Sequence, residues 1–107
     1  MKGEVLKGHV DLLLLAAVEA GPAHGYAIIK TLRERTGEVL NLPEGTLYPA
    51  LQRLQAAGLL ESSWSIVEGR RRRVYELTAE GRAALERERS EWGTFARAVE
   101  SAIEPAS

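Results

Sequence analysis

Cysteine is absent from the chain, which excludes disulfide staples, thiolate catalysis and every cysteine metal site. Histidine is nearly as scarce, and His9 and His24 alone leave a metal centre poorly supplied, so no metal or other cofactor is expected. Long apolar runs are missing too. The longest, Leu12 to Val18, falls far short of the roughly 20 residues that span a bilayer, and the N-terminus lacks a signal-peptide arrangement with a cleavage site. These absences predict a cytoplasmic protein with no membrane partner. Nor is there an excess of one charge: 14 basic residues face 15 acidic ones, and the net charge is −1. Any nucleic-acid role must therefore rest on local clustering of positive charge. No serine, histidine and acid arrangement, phosphate-cradling glycine loop or metal-ligand spacing occurs, so the sequence does not read as an enzyme.

What remains is an ordinary globular composition, 45% hydrophobic and 27% charged, with room in 107 residues for one domain. "KGHVDLLLLAAVEA", Lys7 to Ala20, is rich in helix formers and is stopped by Gly21-Pro22. This first helix is apolar most of the way round, which implies burial on more than one side. A second helix is predicted from about Gly25 to Thr36, with Tyr26, Ile28, Ile29 and Leu32 inward and Gly37 closing it. A third, within "LPEGTLYPALQRLQAAGLL", places Leu47, Ala50, Leu51 and Leu54 on one face and ends at Gly58. "LLESSWSIVEGRRRRVYELT" then reads as a β-hairpin turning at Glu68-Gly69. Thr78 is a good N-cap for a long last helix reaching about Ile103, with Glu80 in its first turn.

Three short helices, a hairpin and a long helix predict a mainly α fold with a small β-hairpin. The arrangement is that of a winged helix-turn-helix domain, residues 1–78, followed by a long C-terminal dimerisation helix, residues 79–104. In such a domain the third helix offers its N-terminal residues to base edges in the major groove. Its polar face here holds Glu44, Thr46, Tyr48, Gln52, Arg53 and Gln55, groups suited to bases and phosphates. Pro49 lies inside that helix, where a proline ordinarily costs about 3 kcal/mol or more. Close to the N-terminal turn it frees only the carbonyl of Gly45, and it either bends the leading turn, marks Tyr48 as the cap of a helix that starts late, or is a tolerated irregularity. Arg70, Arg71, Arg72 and Arg73 fall on the hairpin and alternate sides, Arg70 and Arg72 one way, Arg71 and Arg73 the other. Such a run is either a solvated charged turn or a wing that meets the phosphate backbone or the minor groove. In the last helix, Trp92, Phe95, Val99 and Ala102 repeat with a seven-residue pattern. A partner helix from a second subunit, or packing within one subunit, would cover that stripe.

Four blocks, "LKGHVDLLLL", "GPAHGYAIIKTL", "LPEGTLYPALQRLQAAGLL" and "GRRRRVYELTAEG", stand in an order that resembles the PadR-type transcriptional regulators over nearly the whole length. The single C-terminal helix is similar to the shorter subfamily, in which that helix and helix one form the dimer. The resemblance implies a sequence-specific DNA-binding regulator, a homodimeric repressor on a palindromic operator in double-stranded DNA, released by a small aromatic or drug-like ligand. It implies DNA contact by Thr46, Tyr48 and the wing arginines, and makes Tyr26 and His24 phosphate neighbours. Both have a plainer reading, His24 as a helix cap and Tyr26 as a core aromatic. It also puts Trp92, with Phe95 beside it, at a ligand cleft between subunits; the alternative is that Trp92 fills the dimer core. A protein-binding winged module is the competing reading, and the basic wing, which an adaptor does not need, separates the two.

Overall fold

The computed structural model describes residues 8–106. Four helices and a small antiparallel sheet follow one another: α1 (Val10–Ala17), β1 (Ala23–His24), α2 (Gly25–Arg35), α3 (Glu44–Ala56), β2 (Leu60–Val67), β3 (Arg70–Leu77) and α4 (Ala79–Ile103). The sheet order is β1-β3-β2. This is the expected winged helix-turn-helix, with one addition. Two residues before α2 pair with β3, Ala23 opposite Tyr75 and His24 opposite Val74, so the hairpin becomes three-stranded.

Helix ends follow from local chemistry. At Gly37 (φ 58°) the Gly37 amide reaches the Glu34 carbonyl and the Glu38 amide reaches the Arg33 carbonyl. At Gly58 (φ 78°) the Gly58 amide bonds to the Gln55 carbonyl and the Leu59 amide to that of Leu54. Both are Schellman closures, which need the left-handed residue that glycine supplies without strain. The hairpin turns at Glu68 and Gly69, both at positive φ, with Val67 paired to Arg70. Two such residues match a type I′ connection and suit the twist of the strands. Thr78 caps α4, its hydroxyl accepting from the Gly81 amide at 3.0 Å.

Two expectations change, and one of the alternatives for Pro49 falls. Helix one is shorter than predicted: it begins at Val10, with Lys7 outside the described residues, and after Ala17 the chain tightens into three-residue turns from Glu19 to Ala16 and from Gly21 to Val18. Tyr26 is not inward but 61% exposed. Gly25, Ile28 and Leu32 form the buried line of α2, and a residue two positions before Ile28 points to the other side of a 3.6-residue turn. The late start of helix three does not occur. α3 begins at Glu44, Thr46 and Leu47 both donate to the Pro43 carbonyl at 3.0 Å, and the helix continues through Pro49.

Leu14, Leu15, Val18, Ile28, Leu47, Leu51, Leu54, Leu60 and Leu85 are fully buried where α1, α2, α3, the sheet and the start of α4 meet. Of α4, only Gly81, Ala84 and Leu85 are buried. Its 25 residues, about 37 Å at helical rise, run beyond this core and stretch the molecule to 58 × 28 × 21 Å.

Candidate nucleic-acid interface

α3, the N-terminus of α2 and the hairpin converge on one side of the domain. Tyr48 leaves α3 toward α2, where buried Gly25 makes room for it: a Cβ at Gly25 would lie 2.6 Å from the Tyr48 hydroxyl oxygen. His24, in extended backbone at the N-cap of α2, closes the same corner, and its ring stacks with that of Tyr26 at 6.4 Å. Burial, then the Arg72 charge, hold the His24 imidazole below its ordinary pKa against an opposing pull from Glu68. A shallow cleft of about 190 Å³ joins His24, Gly25 and Tyr48 to Trp64, Arg71, Arg72 and Arg73 of the hairpin.

Strand alternation sorts the arginines as expected. The cross-strand pairs Ser62–Tyr75, Trp64–Arg73 and Ile66–Arg71 share one face, while Arg70 and Arg72 take the other. Arg73 Nε donates to Ser62 Oγ at 3.0 Å, and Ser62 Oγ donates to Gln55 Oε1 at 2.8 Å. This chain ties the wing to α3. Arg72 is half-buried, its Nε without a hydrogen-bond partner.

The polar face of α3 divides. Tyr48 lines the cleft and is 46% exposed, and Gln52, one turn on, is exposed as well, whereas Thr46 is half-buried and lines a second cleft with Val10, Pro49 and Arg53. Arg53 is turned away. Its guanidinium pairs with Asp11 of α1 at 2.5 Å, which draws the side chain off the reading face and across to the first helix. Gln55 is used by Ser62.

The second expected site lies apart from this surface. Trp92 meets the His9 ring edge-on at 4.7 Å and Phe95 at 5.9 Å. With Asp11, Arg53, Glu88 and Glu91 they line an open cleft of about 370 Å³ between α1 and α4. Glu88 Oε2 is buried there without a hydrogen-bond partner. Burial, followed by the charges of Asp11 and Glu91, raises the Glu88 pKa above the usual carboxylate range.

Two participants escape sequence reasoning. Gly25 precedes a helix and looks like a simple start residue; only the packing of Tyr48 reveals why a side chain is excluded. Trp64 falls at the same even strand offset as the buried Leu60, but it is 53% exposed, with the Arg71 and Arg73 guanidinium carbons 4.6 and 5.3 Å from its ring centroid. An aromatic directly opposite an arginine in the hairpin register is the signal that finds it.

The architecture has parallels among known proteins. A family model described as the Transcriptional regulator PadR-like family matches residues 14–87. The structure of a transcriptional regulator from Clostridium thermocellum superposes with a TM-score of 0.86 at 30% identity, covering 95% of this chain and 100% of that one. A PadR family transcription regulator from Clostridium difficile R20291 gives a TM-score of 0.80 at 34% identity, over 91% of this chain and 100% of that one. The transcriptional regulator Rv3488 of Mycobacterium tuberculosis is 54% identical over 55 residues, 51% of either chain. With the profile spanning all the elements from α1 into α4, the chain belongs to the PadR-like family of transcriptional regulators.

Proposed function

We propose that the protein binds a palindromic operator in double-stranded DNA as a homodimer and acts as a repressor in the cytoplasm. The observation that carries this reading is the convergence of Tyr48, the α2 N-terminus and Arg71 to Arg73 on one surface. Residues 1–78 then serve as the DNA-binding part. α3 enters the major groove with Thr46, Tyr48 and Gln52 toward base edges. Arg70 to Arg73 meet phosphates or the minor groove, and Tyr26 lies near the backbone. Arg53 joins the interface only after leaving Asp11. Residues 79–104 serve as the dimerisation helix. Trp92, Phe95, Val99 and Ile103 form an uncovered apolar stripe on α4, Ile103 being 74% exposed, and a second copy of the helix is the natural cover.

The Trp92 cleft supports the effector part of the reading. Its aromatic walls suit a flat ligand, and Asp11, Glu88 and Glu91 favour one that carries positive charge. Such a ligand relieves repression by binding the two arrangements of the dimer unequally. The test is a titration against the DNA upstream of the protein's own gene at two salt concentrations, with random DNA as competitor and sedimentation to give the mass. Competitor-resistant binding by a dimer is expected. A monomer with no DNA affinity even at low salt refutes the proposal.

A further inference from the structure

Trp64 is the one exposed aromatic of the hairpin, and its position is costly as packing alone. Half of it faces solvent, and it lies beyond the buried part of the sheet, which ends at Leu60, Tyr75 and Leu77. What it does touch is charge. Arg73 is its direct cross-strand partner and Arg71 its diagonal neighbour, and both guanidinium groups lie within 6 Å of the ring centroid, at 5.3 and 4.6 Å. That is the range in which an indole face attracts a cation.

The two arginines differ in what else holds them. Arg73 is also fixed by Ser62, and through Ser62 by Gln55 of α3. Among the described residues Arg71 makes no ion pair or side-chain hydrogen bond, and its place over the indole is what holds it. Trp64 therefore extends to Arg71 an orientation that Arg73 receives from the reading helix. Resting on the DNA-binding reading above, we propose that Trp64 is a positioning residue for the wing. Its indole holds Arg71 and Arg73 as an ordered pair, so that their outward N–H groups meet neighbouring phosphates without first losing side-chain freedom. An unstacked arginine has to be ordered on binding, which weakens association about two- to tenfold for each such side chain. The stack spares that loss for Arg71, adds to the hold that Ser62 already has on Arg73, and keeps both full charges on the wing.

The experiment compares wild type, Trp64→Leu and Trp64→Phe on a duplex selected in vitro from a random pool by the wild-type protein, across a salt series. Trp64→Leu is expected to bind roughly five- to fiftyfold more weakly, with a salt slope shallower by about one to two units as up to two phosphate contacts are lost. Trp64→Phe, which keeps a π face, is expected to recover most of both. Circular dichroism and thermal unfolding should match wild type in each, since the ring is exposed. In an Arg71→Ala/Arg73→Ala background, Trp64→Leu should add nothing. Equal affinity and slope for Trp64→Leu and wild type overturn the inference while leaving the DNA reading intact. A further loss in the double-alanine background also overturns it, because the indole would then touch DNA itself. If wild type enriches no duplex at all, the DNA reading falls and the inference with it.

Discussion

Replacing Gly81 by alanine reverses the usual rule for helices. Alanine is normally preferred to glycine within a helix by about 1 kcal/mol. At Gly81, the third residue of α4, the added Cβ would stand 2.0 Å from the Leu59 carbonyl oxygen and 3.1 Å from Leu77 Cδ2. A carbon–oxygen contact becomes comfortable only near about 3.3 Å, so helix and carbonyl must separate by more than about 1 Å. That carbonyl is not free to move. It accepts from the Thr78 amide at 3.2 Å, and Thr78 in turn donates its hydroxyl to the Gly58 carbonyl at 2.6 Å and caps Gly81. Overpacking of this kind costs about 1–3 kcal/mol and a weakened cap about 1 more. Subtracting the helical preference leaves a net destabilisation of roughly 1–3 kcal/mol. In a chain this size that lowers Tm by roughly 5–20 °C. The assay is thermal and urea unfolding followed by circular dichroism at one fixed protein concentration, since dimerisation would shift both. Gly45→Ala is the control: nothing lies within 4 Å of its Cβ, so it should be neutral or stabilising. A Gly81→Ala protein as stable as wild type refutes the claim that α4 is seated by contact of its backbone with Leu59.

Gly25→Ala should behave differently from Gly81→Ala, because its Cβ meets the far end of Tyr48, at 2.6 to 2.9 Å, and a ring can swing away; stability should change by less than about 1 kcal/mol while operator affinity falls, and a variant that binds normally would remove Tyr48 from the reading surface. Thr46→Ala should erode discrimination between operator and random duplex, by about 1–3 kcal/mol if the base contact is well made, which competition binding measures. Glu88→Gln should stabilise the protein at neutral pH and not in acid. Folding raises the Glu88 pKa through burial and the charges of Asp11 and Glu91, so the folded state holds its proton more tightly, and wild-type stability declines as pH rises out of the ordinary carboxylate range. Unfolding curves at pH 4 and pH 7 test this, and an equal effect of the substitution at both sinks the argument.

Much of the fold was legible because its punctuation is local. Gly37, Gly58, Glu68-Gly69 and Thr78 each stop or start an element through groups within a few residues, and all of them act where the sequence predicts. The misreadings arise where distant partners decide. Ala23 and His24 make a strand only because Tyr75 and Val74 lie beside them. Arg53 belongs by periodicity to the polar face of α3, but Asp11, 42 residues earlier, claims its guanidinium. Grouping Tyr26 with Ile28, Ile29 and Leu32 as the apolar side of α2 puts it inward, and the buried line of Gly25, Ile28 and Leu32 overrides that. Trp64 illustrates both kinds of information. Its strand was plain from the alternation, yet its exposure and its arginine neighbours depend on how far the hairpin outruns the core.

The junction at Leu59 and Thr78 explains how a change in α4 can reach the whole reading surface. Thr78 bonds through its amide to Leu59 and through its hydroxyl to Gly58, the two residues that close α3. One turn earlier in α3, Gln55 accepts from Ser62, which accepts from Arg73 of the wing. Strand β3 itself runs from the wing arginines at Arg70 to Leu77, immediately before the Thr78 cap. The C-terminus of α3, the wing and the start of α4 are therefore held at one place by short bonds, whereas farther along α4 no residue after Leu85 is buried and the helix meets the first part of the chain only at its surface, Arg89 pairing with Glu19 and Trp92 meeting His9. In the proposed dimer, an effector wedged beside Trp92 would tilt α4 and carry α3 and the wing with it as one body. Such a tilt leaves each reading helix intact and changes the distance between the two. Successive major grooves require about 34–36 Å between half-sites, so in the proposed dimer a modest rotation of that body about the subunit contact would release DNA without unfolding any element.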